Sequence, residues 1–431
     1  MPGPDRPTDP RPLADCSRPC PGDEPPTPED HRAVQLLCDL GVALCESGTP
    51  AHRLEDALTS AAAVLRVEAC FFAMPTALFA SFDRLGPGSA RLLRVQSADT
   101  HLARLIELGS ILDDVLAHRL QPAEGIRRIA LARTRPSPYG RILTVACFAC
   151  VAACSTRFFG GGLREVAVAP LAGLAVGLLT VFGGSRLARL TEFLAGAVAA
   201  MVAVAAAALL DGASARSIML GGLIVLIPGL SLTLSVTELA TRNLVAGTAR
   251  LMGALSTFVA IGFGVATGQQ LLRHAARLPV ASLEAPSTQT VPPAWTLTAS
   301  LVIVALPLTV LFRARARDAL VIMGSAFLAF YGARVGAWVL GPETGACIAA
   351  MIVGIGANLY ARLTGNPAAV PLLPGVLLLV PGSVGFRSVQ SFVANDALGG
   401  VATAFEMIYI AISIVAGLLI ANAAMPSKRP L

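Results

Sequence analysis

Ser231, Ser235, Glu238 and Arg242 fall at i, i+4, i+7 and i+11, so one face of a continuous helix carries two hydroxyls, a carboxylate and a guanidinium. They follow Pro228–Gly229 inside an otherwise apolar stretch, Leu226–Gly264. Proline removes a backbone donor and loosens the helix, leaving carbonyls and amides without partners. In a bilayer such groups persist only when buried in protein or lining a wet cavity. The arrangement returns at Leu379–Gly417, where Pro381–Gly382 precedes Ser383, Ser388, Ser391, Asn395 and Asp396. Hydroxyls and amides can hold a zwitterion without the cost of a fixed buried charge. A single kink is most simply packing; its duplication favours a substrate pathway of Pro228, Gly229, Ser231, Ser235, Glu238, Pro381, Gly382, Ser383, Ser388, Asn395 and Asp396. Glu238 and Arg242 stand in the favourable order for an i,i+4 helix pair. Arg242 reads as a solvated end, Glu238 as a pathway or proton-exchanging group.

Two other charges interrupt apolar runs. Arg334 lies well inside one, so it is expected as a buried ionisable group or a snorkelling one. Glu192 opens another, where complementing the helix dipole is its default role and a buried charge the alternative. Asn358 and Tyr360 are weaker candidates of the same kind, and Gly173, Gly177, Gly354 and Gly356 suit close helix packing. Cys147, Cys150 and Cys154 share one apolar helix without neighbouring His or carboxylate, which favours packing over metal binding. No nucleophile elbow, P-loop or metal-ligand spacing is present, so neither an enzyme nor a cofactor or metal site is expected.

The elements that position these groups follow from composition. Of 431 residues 55% are hydrophobic and only 14% charged, against about 25% charged in soluble domains, and mean hydropathy is +0.68. Apolar runs after Arg141 reach the roughly 20 residues that span a bilayer. The chain therefore reads as a polytopic α-helical membrane protein. The formal charge of +6 is almost wholly arginine, with no basic cluster interleaved with aromatics, so nucleic acid is not an expected partner. Residues 1–30 form a Pro-rich tail of disordered composition. Residues 31–135 form an α+β domain: a helix over Ala33–Cys45, a second starting at Pro50 with Thr49 as cap, strands at Val67–Phe72, Ala77–Phe82 and Arg91–Gln96, and helices over His101–Arg119 and Ala123–Arg133.

Membrane spans are expected near 141–159, 165–182, 191–210, 216–236 and 245–268, then, after a loop at 269–293, near 294–312, 318–340, 344–362, 368–386 and 397–421, followed by a tail at 422–431. The two sets, 141–268 and 294–421, match at an offset of 153 positions: Gly222 with Gly375, Pro228–Gly229 with Pro381–Gly382, Ser235 with Ser388, Gly247 with Gly400, Gly264 with Gly417. Five spans per copy is an odd number, so the copies insert in opposite orientations, a 5+5 inverted repeat of about ten helices. Arginines favour the side that carries the N-terminal domain, which places that domain and both termini in the cytoplasm.

Three segments resemble the threonine/serine exporter family: LCDLGVALCESGTPAHRLEDALTSAAAVLRVEACFF in the α+β domain, LIPGLSLTLSVTELATRNLVAGTARLMGAL at the first break, and LLPGVLLLVPGSVGFRSVQSFVANDALGG at the second. The resemblance covers roughly residues 31–421, in the family's order. It implies export of threonine, serine or similar small amino acids, driven by protons or another coupling ion, from a bacterial inner membrane. Membrane lipid and further copies of the chain are the other expected partners. The alternative is a membrane-anchored receptor or regulator whose cytoplasmic domain senses or docks a partner; an anchor, however, has no need of duplicated polar breaks.

Overall fold

The computed structural model describes residues 27–82, 89–95, 100–210, 212–276, 292–394 and 396–426. Helix α1 (Pro28–Glu46) opens with a capping box in which the Thr27 hydroxyl accepts from Asp30 N and the Asp30 carboxylate accepts from Thr27 N. It thus starts inside the stretch expected to be tail, because Thr-Pro-Glu-Asp supplies a complete helix start. Helix α2 (Ala51–Val64) leads into an antiparallel sheet of β1 (Ala69–Met74), β2 (Ala77–Phe82) and β3 (Ala90–Arg94), in that order. Helices α3 (Leu102–Leu116) and α4 (Pro122–Thr134) complete the unit. Along β2 the period-2 rule is plain: Leu78, Ala80 and Phe82 are buried while Phe79 faces out. Those inward residues pack on Leu36, Leu40, Leu44, Leu54, Leu58 and Leu108 from the helices.

Thr49 does not cap α2. Pro50 occupies the cap position and offers no side-chain bond, and the Thr49 hydroxyl is buried without a partner among the described residues. The group that meets this helix start comes from the other part of the chain.

That part comprises α5 (Arg141–Phe158), α6 (Leu163–Phe182), the one-turn α7 (Gly184–Leu187), α8 (Thr191–Leu209), α9 (Ala215–Leu223), α10 (Gly229–Ala240), α11 (Leu244–Ala276), α12 (Trp295–Leu311), α13 (Ala319–Leu340), α14 (Gly345–Thr364), α15 (Ala369–Leu379), α16 (Gly382–Val393) and α17 (Ala397–Ala424). Among the described residues eight helical segments are long and apolar enough to cross a membrane, Ala369–Val393 counting as one; Trp295–Leu311 is a shorter apolar helix. The molecule is a multi-pass helical membrane protein. Helix α11 runs on to Ala276, into the expected loop at 269–293. Hydropathy falls there, but Gln269–Ala276 contains neither proline nor glycine, and nothing stops the helix. Small residues bring neighbouring helices together: α8 meets α11 through Gly196, Gly264 and Gly268, and α14 meets α17 through Gly354 and Gly417.

Both expected breaks are present. Helix α9 stops at Leu223 and α10 restarts at Gly229; α15 stops at Leu379 and α16 restarts at Gly382. Their prolines take nearly the same conformation, φ −79° and ψ 42° at Pro228, φ −77° and ψ 27° at Pro381. The breaks touch each other. A methyl group on Gly229 would overlap Val380 and lie 3.2 Å from Gly382 Cα; one on Gly382 would lie 2.7 Å from Ile227 Cγ2 and 3.3 Å from Gly229 Cα. Neither position has room for a side chain. Gly253, with nothing within 4 Å of its would-be methyl group, is the control. Gly229→Ala and Gly382→Ala are each expected to cost about 1–3 kcal/mol through overpacking, seen as a lowered unfolding temperature of the detergent-solubilised protein, while Gly253→Ala leaves it unchanged.

Candidate functional site

A cavity of about 880 Å³ lies between the α+β unit and the two breaks. Helix α5 lines it with Arg141, Thr144, Phe148, Val151 and Ser155, a stripe at helical spacing about 21 Å long at 1.5 Å per residue. Thr100, Tyr139 and Arg313 contribute from the side of the α+β unit; Ile224–Pro228, Ser231, Leu377 and Leu378 contribute at the breaks. Thr180 of α6, Glu192 of α8, Thr257 of α11 and Val304 and Leu308 of α12 complete the walls. Thr144 and Thr180 hydroxyls donate to Gly140 O and Val176 O of their own helices. Ser155, Ser231 and Thr257 make no side-chain hydrogen bond with the described residues, so their hydroxyls are available to a ligand.

The expected pathway residues divide sharply. Pro228 and Ser231 line the cavity. Gly229, Pro381 and Gly382 are buried where the breaks meet, and Ser383 is half-buried beside them. Ser235 and Ser388 are buried and spent on backbone, donating to Leu232 O at 2.6 Å and Gly400 O at 2.7 Å. Asp396 is exposed and caps α17, accepting from Gly399 N at 2.9 Å, so it is no pathway group. Asn395 lies outside the described residues. Arg334 is not a buried charge: it is exposed, with its guanidinium 4.8 Å from the Phe330 ring centre, because a long side chain can snorkel along an aromatic face. Glu192 is half-buried in the cavity wall.

Glu238 is the largest departure. It is completely buried, yet it lines no part of the cavity. Its carboxylate takes both Nε and Nη2 of Arg250, each at 3.0 Å, and accepts from Ala51 N at 3.1 Å. The expected partner, Arg242, is exposed: α10 ends at Ala240 and Arg242 turns the chain with φ 65°, before it can stack beneath Glu238. Helix α11 then returns antiparallel and brings Arg250 back. Glu238 therefore supplies the cap that the sequence assigns to Thr49, satisfying an orphan amide of α2 with a charged acceptor. Beside it, burial holds His52 below its ordinary pKa, with the Arg53 charge adding to the effect.

A second fastening of the same kind had no legible local signal. Leu102 N and Ala103 N, the first amides of α3, donate to Phe312 O and Arg313 O at the end of α12, at 3.0 and 3.1 Å. The Tyr139 hydroxyl donates to Ala314 O at 2.8 Å. Glu165 was also missed: it is fully buried, and one carboxylate oxygen accepts from Ser214 N at 3.0 Å. Asn358 holds α14 to α17, donating to Asn422 Oδ1 and Met425 O.

Glu238→Gln keeps an acceptor for Ala51 but leaves the Arg250 guanidinium, 14% exposed, without its counter-charge. A loss of about 3–5 kcal/mol is expected, read from denaturant unfolding together with faster proteolysis between the α+β unit and the helices. Adding Arg250→Met recovers most of it. Wild-type stability in the single variant would contradict the fastening role.

Most of the chain is similar in sequence to known proteins. A family model for a putative threonine/serine exporter, ThrE, matches residues 35–272, and a second threonine/serine exporter model matches residues 296–424. Pheromone-regulated membrane protein 10 of Debaryomyces hansenii is 25% identical over 416 residues, covering 90% of this chain and 41% of that protein. The protein of the same name from Eremothecium gossypii is 27% identical over 372 residues, covering 83% of this chain and 49% of that protein. The chain spans less than half the length of these curated relatives. They are yeast proteins, which lends no support to the bacterial inner membrane expected from the sequence. No solved structure matches the chain significantly. The two family matches together run through the α+β unit and both breaks: the chain belongs to the threonine/serine exporter family.

Proposed function

We propose that this chain is a secondary transporter that exports small, threonine- or serine-like amino acids by alternating access, coupled to protons. The observation that carries the reading is the cavity that runs from the α+β unit to the paired breaks, with the uncommitted hydroxyls of Ser155, Ser231 and Thr257 and the Glu192 carboxylate in its walls. A cavity lined by polar groups and floored by broken helices is the arrangement expected of a carrier binding site. Membership of the threonine/serine exporter family supports this choice of substrate class.

In this reading the two sets of helices form a 5+5 inverted repeat, with the broken pair α9–α10 and the short α12 counted among ten crossings. The reciprocal contacts support it. Gly229 meets Val380 and Gly382 meets Ile227, and the offset of 153 positions that relates the sequences turns one contact into the other, taking Gly229 to Gly382 and Ile227 to Val380. The α+β unit faces the cytoplasm, and the cavity beside it is the inward-facing entrance. A membrane-anchored receptor would have no use for such a cavity, although the fastening of the α+β unit suits a regulatory role within a transporter.

Counterflow in proteoliposomes tests the proposal. Vesicles preloaded with unlabelled threonine or serine are expected to take up the labelled amino acid transiently above equilibrium, and an imposed pH gradient to drive net movement. Folded protein that exchanges no small amino acid would overturn it.

A further inference from the structure

Among the described residues that line the cavity, Glu192 is the one carboxylate, and it makes no ion pair or hydrogen bond with the described residues. From the sequence it was expected as a helix-start residue complementing the dipole, with a buried charge as the alternative, and packing sets it in the cavity wall. Arg250 bonds Glu238 and Gly247 packs on Leu239, so α10 and α11 run antiparallel with Ser231 opposite Thr257. Phe193 O lies against Gly264 and Ala197 O against Gly268, so α8 and α11 run parallel. By these pairings Glu192 sits level with Phe263, about 9 Å along α11 from Thr257, near the depth of the Pro228 break, and Glu192 and Thr257 face the same cavity.

The other acids nearby are committed. Glu238 is held by Arg250 and Ala51. Glu165, bonded to Ser214 N, does not line the cavity. The charged and titratable groups that share the cavity with Glu192 are Arg141 at the start of α5, Arg313 after α12, and Tyr139, whose hydroxyl is bonded to Ala314 O. Of the helices packed against α8, α6 and α11 present only Thr180 and Thr257 as polar groups here, and α9 presents none. Its one charge, Arg216, is exposed near the opposite end of the helix path, and Arg186 and Arg189, just before α8, are also exposed.

We infer that Glu192 is the single carboxylate for which a proton and the ammonium group of the outgoing amino acid compete. This rests on the transport reading above. No described cation shares the wall beside Glu192, so its carboxylate is open to either partner. A proton neutralises it as a carboxylic acid; an ammonium group neutralises it as an ion pair, while Ser231, Thr257 and Ser155 offer hydroxyls to the rest of the ligand. The two cannot occupy it together. Facing the α+β side, the acid gives its proton to cavity water and the carboxylate then binds the ammonium. Facing the other side, it releases the amino acid and takes up a proton. In each cycle one proton crosses inward on Glu192 and one zwitterionic amino acid, neutral overall, crosses outward with its ammonium against the carboxylate. One net positive charge therefore moves inward, and exchange follows from mutual exclusion.

The test uses the full chain and two readouts. In detergent with weak buffer, titrating threonine or serine into wild-type protein is expected to release about one proton per amino acid bound, with affinity falling as pH is lowered. In proteoliposomes, Glu192→Gln is expected to bring pH-gradient-driven uptake down to the level of empty vesicles and to abolish proton release, while Glu192→Asp retains both at a lower rate. Binding by wild-type protein without proton release overturns the inference even if no variant folds, and so does Glu192→Gln that keeps gradient-driven uptake. If wild-type protein shows neither binding nor counterflow, the transport reading itself fails.

Discussion

Two helix breaks meet where no side chain fits. Gly229 and Gly382 face each other's backbone, with Ile227 and Val380 on the flanks, and the rest of the membrane part is arranged around that contact. The prolines end α9 and α15 early, the glycines let the restarted helices approach, and the backbone freed at each break is sheltered by the other. A cavity can then reach this depth without exposing unpaired peptide groups to lipid. In the transport reading, rotation of one half of the molecule against the other would pivot here, where the two glycines bring backbone against backbone and only Ile227 and Val380 flank the contact.

The α+β unit is held by the starts of two of its helices, each on a different set of membrane helices. Helix α2 docks on the Glu238 carboxylate of α10, and α3 docks on the carbonyls that end α12. Both joints use the same economy, the orphan amides at a helix start meeting acceptors at another element's end. Because one joint lies before the α11–α12 connection and the other after it, the unit bridges the two halves beside the cavity. In the transport reading proposed above, motion of the halves would be linked mechanically to this unit.

Much of this was legible in the sequence for physical reasons. Apolar run length marks membrane helices, a Pro-Gly pair inside such a run marks a break, and alternating burial marks β2. What failed was inference from neighbours along the chain. Glu238 and Arg242 satisfy the i,i+4 rule, but the helix ends between them, and Arg250 arrives from the following helix instead. Thr49 has the right type and place for a cap, yet the amide it would serve is taken by a residue 187 positions away. Glu192 was left between a dipole-complementing role and a buried charge because sequence gives the start of a helix but not its depth. Arg334 looked buried because its run is apolar; which face of α13 it occupies is a tertiary fact. Polar residues serve whichever partner folding brings, and local spacing does not name that partner.

The central claim is that the paired breaks floor a pathway open alternately to the two sides. Thiol accessibility of Ser231→Cys in a chain otherwise free of cysteine tests it most directly, in sealed vesicles of defined orientation. A membrane-impermeant reagent is expected to label this position from the side of the α+β unit, and a pH gradient with threonine present to shift labelling toward the opposite side. Labelling from neither side, or from one side only whatever the gradient and ligand, would contradict the account.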